Sequence, residues 1–181
     1  MNRFNTVEEI ISWRPFSYKE EVYSLSHLDA HIAEYTDKEG KIYKYIVTYS
    51  FHCFAKDVPG LSEAENDQLI YQTRKDKRHF NFERYELSKH LPKIIRSLGE
   101  EPICFHGGHN RFIRYKIQDD EGNAINYFIA FKSFKEKKRL RLHIESAYPV
   151  SPEEKGKLKK INFFTIAHNT LHGKITKKPR P

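Results

Sequence analysis

The sequence predicts an α+β protein: an antiparallel sheet with a helix packed on one face, plus an N-terminal helix and a β-hairpin. Three observations lead to this fold class. Residues 83–98 carry apolar side chains at helical spacing, several later segments alternate between polar and apolar residues, and short turns separate those segments. Because short turns join antiparallel neighbours, we expect the segments to form a meander against the helix.

The composition indicates a folded and basic chain that forms a single domain over 1–181. It is 38% hydrophobic and 14% aromatic, which is enough for a real core although 31% of the residues are charged. The formal net charge of +8 favours a polyanionic partner, with RNA or another nucleic acid first and an acidic protein second.

The sequence also predicts a cytoplasmic protein without a membrane partner. Cys53 and Cys104 are the two cysteines, and neither belongs to a C-x-x-C motif, which is typical of a reducing compartment. No apolar run is long enough to span a bilayer, and Glu8 and Glu9 interrupt any signal-peptide pattern.

The N-terminal part, residues 1–56, is predicted to form the first helix and the hairpin. Thr6–Glu9 has the form of a capping box, apolar residues follow at helical spacing, and Pro15 ends the helix. Segments 27–35 and 41–54 flank the turn sequence D-K-E-G, which indicates two antiparallel strands.

Four residues of this hairpin raise the alternative of a metal site. His27, Asp29 and His31 alternate along the first segment, and His52 lies near the end of the second. Along a strand the outer pair of the first three would lie about 13 Å apart, too far for one ion. A solvated hairpin face explains these residues without a ligand, and we expect no metal and no other cofactor.

A charged stretch and the main helix come next. Residues 57–82 show no sustained period, which predicts a surface loop with one helical turn near 63–71. Residues 83–98 form the clearest helix, with Asn81 as a suitable N-cap. Pro92 lies inside it and should kink the helix or start it afresh.

The region 83–172 is predicted to be the core of the fold. Segment 161–171 should close it as a strand or a helix, and the basic tail 173–181 is expected to be mobile. Between the helix and this closing segment, four strands are predicted at 103–106, 111–118, 126–134 and 139–148.

The last of these strands carries the strongest functional signal. Apolar and polar residues alternate strictly from Leu140 to Glu145, so one face of the strand is polar. On that face His143 lies one strand position from Arg141 and one from Glu145, about 7 Å away in each direction. This places a proton-transfer group beside an anion clamp and a base, although a solvated face with cross-strand ion pairs is the alternative.

Further cations on the second strand extend this interpretation. Arg114 and Lys116 share one face of that strand, and Arg111 lies on the other. If the first pair shares a sheet face with Arg141 and His143, a basic groove lies above the sheet. Guanidinium groups match phosphate oxygens bidentately, so the groove would suit a nucleic acid.

The loop between the first two strands contains two glycines flanked by histidines, His106 and His109. Glycine lets a backbone approach an anion closely, which favours a contact with phosphate. A Gly-Gly pair is equally the usual choice for a tight hairpin, and both interpretations stay open.

These residue types are sufficient for RNA cleavage without a metal. A base activates the 2′-hydroxyl group, an acid protonates the leaving oxygen, and cations stabilise the charged phosphorane. His143 has the chemistry of the first group, with Glu145 or His90 as its partner and Arg114 or Arg141 as the clamp.

The order of helix, antiparallel strands and a last strand ending in S-A-Y-P resembles the barnase–EndoU–colicin–RelE-like ribonuclease superfamily over residues 83–150. In that superfamily a helix bears a histidine, a strand bears an arginine, and a hydroxyl residue closes a later strand. The matching positions are His90, Arg114 (or Arg111) and Ser146. The resemblance implies a metal-independent endoribonuclease of the kind found among toxins and phage-related effectors.

Three functional hypotheses therefore remain. The first is this endoribonuclease, for which an acidic protein inhibitor is a natural partner. The second is a non-catalytic nucleic-acid-binding module, and the third is a protein-binding accessory or inhibitor protein. A concave site that gathers histidine and arginine favours the first hypothesis, a broad basic face favours the second, and exposed apolar patches favour the third.

Overall fold

The computed structural model describes residues 12–74, 76–109, 111–118, 122, 124–151 and 158–179, without the side chains of 115–118 and 124. Single turns of 3-10 helix follow β2, β4 and α3 in the order below, at Ser26–Leu28, Phe51–Cys53 and Ser97–Gly99. The strands and α-helices are β1 (Phe16–Tyr18), β2 (Glu21–Tyr23), β3 (His31–Thr36), β4 (Ile42–Tyr49), β5 (Ala55–Lys56), α1 (Glu63–Leu69), β6 (Ile70–Gln72), β7 (Lys77–Phe80), α2 (Phe82–Ser88), α3 (Leu91–Arg96), β8 (Ile103–His106), β9 (Arg111–Gln118), β10 (Ala124–Glu136), β11 (Arg139–Pro149), β12 (Lys159–Asn162) and α4 (Phe163–Leu171).

A seven-stranded sheet with the order β12-β8-β9-β10-β11-β4-β3 dominates the fold. Strands β9, β10 and β11 form an antiparallel meander, and β3 and β4 form an antiparallel hairpin. The hairpin joins the meander through a parallel pairing of β4 with β11. The predicted fold class, a purely antiparallel sheet with one packed helix, was therefore wrong: the sheet is larger and mixed, because two segments distant in sequence pair side by side.

The predicted long helix is interrupted at the position that its proline indicated. Asn81 caps α2, its side chain accepting a hydrogen bond from the backbone N–H of Arg84 at 3.0 Å. A new helix, α3, then starts after His90, with Pro92 in its first turn. Proline is tolerated there because the first N–H groups of a helix have no intrahelical partner.

Helices α2, α3 and α4 contact one face of the large sheet, at β11, β3 and β10 respectively, and we call it the helical face. Buried side chains from both layers form the core there, among them Phe131 and Leu142 of the sheet and Ile95, Phe163 and Ile166 of the helices. The opposite face of the sheet is called the outer face.

Two further segments differ from the sequence-based expectations. The predicted charged loop contains α1, which opens with a capping box formed by Ser62 and Glu65, and two strands of a small sheet ordered β5-β7-β6. In the predicted mobile tail, Thr176 is buried, and its carbonyl oxygen lies 3.0 Å from a ring nitrogen of His106. Local polar composition does not reveal such pairings, because they depend on partners distant in sequence.

Most of the predicted N-terminal helix falls on residues 1–11, which lie outside the described part of the chain, and residues 12–15 are not helical. Among the helices that the structure describes, none is both long and apolar enough to cross a membrane.

Candidate functional site

A pocket of about 540 Å³ opens on the outer face, where β9, β10 and β11 meet the end of β4. Its polar lining residues are Ser50, His52, Arg111, His143, Glu145 and Ser146. Gly107, Ile113, Phe128, Ala130 and Tyr148 supply the rest of the lining.

A β-bulge in β11 explains why so many polar residues of one strand reach this pocket. Ala130 pairs with Ser146 and Phe131 pairs with Ile144, which leaves Glu145 as an extra residue in β11. Without the bulge, strict alternation would send Glu145 and Ser146 to opposite faces. The bulge lets both line the pocket, and such irregularities are frequent next to active sites.

Glu145 connects two cations across the sheet. Its Oε2 atom lies 2.7 Å from Nε of Arg111, and its Oε1 atom lies 2.6 Å from Nζ of Lys132. The register places Arg111, Lys132 and His143 side by side on adjacent strands, so the three form one row. Even with the carboxylate of Glu145 counted, the two cations of this row leave a net positive charge that suits an anion.

His143 is held neutral within the row. Burial lowers the pKa of its imidazole to about 4, and Lys132 and Arg141 act in the same direction, against the opposing effect of Glu145. The Nδ1 atom of His143 lies 3.0 Å from the hydroxyl oxygen of Thr48, which pairs with it on β4. If Nδ1–H donates to Thr48, Nε2 keeps a lone pair with which to accept a proton.

A second imidazole, His52, enters the pocket from the 3-10 turn after β4. Burial is the main cause that lowers its pKa, and the nearby cations of Arg78 and Arg84 lower it further. The side chain of Ser50 caps this turn and accepts a hydrogen bond from the backbone N–H of His52 at 3.3 Å. Sequence reasoning considered His52 only as a metal ligand and missed Ser50, because the pairing of β4 with β11 brings them to the site.

Two other residues were also missed: Phe128 and Tyr148. The rings of Phe128 and Tyr148 lie 4.9 Å apart at one end of the pocket, and the guanidinium of Arg84 lies 5.1 Å from the Tyr148 ring. Alternation along the predicted third strand was the available signal, since Phe128 and Lys132 fall on the same face of β10.

The predicted clamp residue Arg114 does not belong to this pocket. It is only 8% exposed and pairs with Ile129, a core residue, so its side chain lies on the helical face. There its Nη1 donates to the carbonyl oxygen of Ile103 at 2.9 Å, and its Nη2 forms an ion pair with Glu101. The expected sharing of a sheet face with His143 was therefore wrong, and the side chain of Lys116 lies outside the described residues.

His106 is a structural residue in this fold. Its Nδ1 accepts a hydrogen bond from the backbone N–H of Gly108 at 3.1 Å, so its Nε2–H donates to the carbonyl oxygen of Thr176. Both nitrogens are thus engaged within the protein, which leaves neither for a phosphate. His109 is exposed in the turn, with a positive φ of 47°. For this loop the structure favours the tight hairpin over the anion contact.

The remaining predicted site residues lie apart from the pocket. His90 stands between α2 and α3 in the helical layer, and it does not line the pocket. Arg141 lies on the polar side of β11, but its Nη1 forms a 3.2 Å ion pair with Glu136, and both side chains are nearly buried.

Two residues of the alternative metal site, His27 and Asp29, form hydrogen bonds within the protein. Nε2 of His27 lies 2.7 Å from the hydroxyl of Ser88, and Oδ1 of Asp29 accepts a hydrogen bond from the backbone N–H of Trp13 at 2.7 Å. His27 belongs to a 3-10 turn rather than a strand, so the predicted alternation with His31 does not occur. Among the described residues, no cluster of three or more potential ligands is present.

Comparisons with known proteins give one family. The model of the YjaZ family matches residues 15–171. Protein YjaZ of Escherichia coli (strain K12) is 40% identical over 178 residues, which cover 95% of this chain and 98% of that protein. No solved structure matches the chain.

Proposed function

The chain belongs to the YjaZ family, and from its pocket we propose that it is a metal-independent endoribonuclease. One observation carries the proposal: the bulge in β11 brings His143, Glu145 and Ser146 into one pocket with Arg111. These side chains supply a proton acceptor, a hydroxyl group and a cation within one concave site.

In the proposed reaction, the 2′-hydroxyl oxygen attacks the adjacent phosphorus and the bond from phosphorus to the 5′-oxygen breaks. The products are a 2′,3′-cyclic phosphate and a 5′-hydroxyl end. Nε2 of His143 accepts the proton of the 2′-hydroxyl, and His52 donates a proton to the leaving oxygen. A bound phosphate favours the protonated form of His52, because a nearby negative charge raises the pKa of an imidazole.

The cations have a separate task in this reaction. Arg111 and Lys132 lie beside the proposed base, where they would stabilise the negative charge that develops on the phosphorane. Glu145 engages one carboxylate oxygen with each cation, so it holds both in place. We therefore assign Glu145 a positioning role, and Ser146 the role of a hydrogen-bond donor to a phosphate oxygen.

A non-catalytic nucleic-acid-binding module is the second candidate, and one observation favours it. A general base is most effective when its pKa lies near the working pH, and the pKa of His143 is about 4. A neutral imidazole beside two cations would also suit simple binding of a phosphate. The two candidates differ in whether bound RNA is cut.

The decisive experiment incubates the purified protein with labelled RNA in the presence of EDTA. We expect cleavage that leaves 2′,3′-cyclic phosphate ends, and we expect His143→Gln to slow it by about 10²–10⁴-fold, the usual contribution of proton transfer. His168→Gln is the matched control, because His168 is an exposed histidine on α4.

Two results would reject the cleavage proposal: cleavage by His143→Gln at the wild-type rate, or activity that requires a divalent metal. Binding of RNA without any cleavage would instead support the second candidate.

We also propose that the protein works in the reducing environment of the cytoplasm. Cys53 and Cys104 are both free thiols and both buried. Burial raises the pKa of each thiol to about 12, which keeps them in the unreactive protonated form.

A further inference from the structure

The outer face continues from the pocket to the edge of the sheet. Lys160 on β12 pairs with Phe105 on β8, and Phe105 pairs with Ile113, which lines the pocket. Ile113 pairs in turn with Ala130, and Ala130 pairs with Ser146. Residues that pair directly in antiparallel strands point to the same side, so these five form one row across five strands of the outer face.

Burial supports this orientation at the far end of the row. Lys160 is exposed and Phe105 is half-buried, whereas their chain neighbours Ile161 and Cys104 are buried in the core. With neighbouring strands about 4.8 Å apart, the row from Lys160 to Ser146 spans roughly 19 Å. One nucleotide cannot cover that distance, so a ligand that uses the whole row must be a polymer.

The chemistry of this surface fits one class of polymer. Aromatic rings occur at two places, with Phe105 beside the edge strand and Phe128 with Tyr148 at the pocket. Positive charge is present in both regions, from Lys160 beside Phe105 and from Arg111 in the pocket lining. A surface that carries both aromatic rings and cations suits single-stranded nucleic acid, since unpaired bases stack on the rings while phosphates contact the cations. A duplex hides the faces of its bases, so the rings would gain nothing from it.

We propose that Phe105 and Lys160 form a flanking subsite for single-stranded RNA whose cleaved phosphate occupies the pocket. The inference rests on the proposed function for the position of the cut. It adds that the substrate is an unpaired strand of several nucleotides, recognised by a base on Phe105 and a phosphate on Lys160.

The test uses a single-stranded 2′-O-methyl RNA of twelve nucleotides, which has no free 2′-hydroxyl group and so cannot be cleaved. We expect Phe105→Leu, which keeps the apolar volume but removes the ring, to weaken its binding about tenfold. Lys160→Ala should reduce the slope of log Kd against log salt by about 0.7, the change for one phosphate contact on a single strand. Fluorescence anisotropy across a salt series measures both effects.

Lys44→Ala is the matched control for the lysine. Lys44 is also an exposed strand residue, but it lies toward the opposite edge of the sheet and pairs with Glu34 at 2.8 Å. Its loss should leave both affinity and salt slope unchanged.

The outcomes separate this subsite from the proposed catalysis. If no RNA is cut but both variants weaken binding of the twelve-nucleotide strand as stated, the subsite stands and only the catalytic proposal fails. The subsite proposal is overturned if both variants bind like the wild-type protein, or if duplex RNA binds as tightly as the single strand. Since Lys160 is exposed, its replacement tests the proposal even if Phe105→Leu impairs folding.

Discussion

Two arginine–glutamate ion pairs, both with their arginine on β9, have different roles on the two faces of the sheet. Arg114 pairs with Glu101 on the helical face, and Arg111 pairs with Glu145 on the outer face. The two arginines are three residues apart on β9. The side chain of Arg114 is 10% exposed, whereas that of Arg111 is 56% exposed and lines the pocket.

The difference lies in what else each arginine contacts. Arg114 also donates a hydrogen bond to the carbonyl oxygen of Ile103, so it fastens the start of β8 to β9. Arg111 shares Glu145 with Lys132, and the whole group faces an open pocket. The first pair holds two strands together, while the second presents charge to a ligand. The role of each arginine therefore depends on the face of the sheet on which it lies, and not on the residue type alone.

The largest effect that we expect is a loss of folding stability in acid, caused by the buried His143 of the outer face. His143 has a pKa of about 4 in the folded protein against an ordinary value of 6.5. Between these values the unfolded chain binds a proton that the folded chain does not, so stability is fully present above pH 6.5 and falls as the pH approaches 4. At about 1.4 kcal/mol per pH unit, the loss is on the order of 3 kcal/mol.

Urea unfolding of the wild-type protein and His143→Gln from pH 7 to pH 4 measures this loss. His27, His31 and His52 also have lowered pKa values, and they contribute equally to both proteins. The difference between the two curves therefore isolates His143, and the variant should lose less stability in acid. If stability fell equally with pH in both proteins, the burial of His143 would carry no cost in stability. The contrast between the outer face and the helical face would then fail on this point.

The part of the fold that depends on local pattern was predictable from the sequence. The bounds of β8 and β9 agree with the predicted segments, and β10 and β11 extend them by a few residues. The alternation of polar and apolar residues likewise predicted that one side of β11 is polar. Side chains alternate with period two in any strand, and short turns leave few choices of partner.

The rest of the site depends on features that have no local signature. The pairing of β4 with β11 connects residues about 95 positions apart, as in the Thr48–His143 hydrogen bond. No local sequence pattern predicts a pairing between segments so far apart. Alternation divides β9 into two sets of side chains but does not say which set faces the core. Phe112 accompanies Arg114 and Ile113 accompanies Arg111, so apolar residues on both faces left the choice undecided.

A smaller effect should separate the two arginines directly. Arg114→Met removes the charged donor to the carbonyl oxygen of Ile103, and we expect the free energy of unfolding to fall by about 2 kcal/mol. Arg111→Met removes an ion pair whose arginine side chain is 56% exposed, and it should change the free energy of unfolding by no more than about 0.5 kcal/mol. Urea titration at pH 7 measures both. Equal losses would break the comparison, because Arg111 would then stabilise the fold as Arg114 does.

The smallest expected effect concerns the two carboxylates. Glu145→Gln removes the negative charge that Arg111 and Lys132 now share, so both cations become available to an anion. With about 1 kcal/mol for the interaction of partly exposed charges, the affinity for inorganic phosphate should rise about fivefold. Glu101→Gln is the matched control, because its arginine lies on the helical face away from the pocket. Calorimetric titration with phosphate compares the two variants. If Glu145→Gln instead bound phosphate more weakly than the wild-type protein, the positioning role of the carboxylate would outweigh the positive charge that its removal makes available.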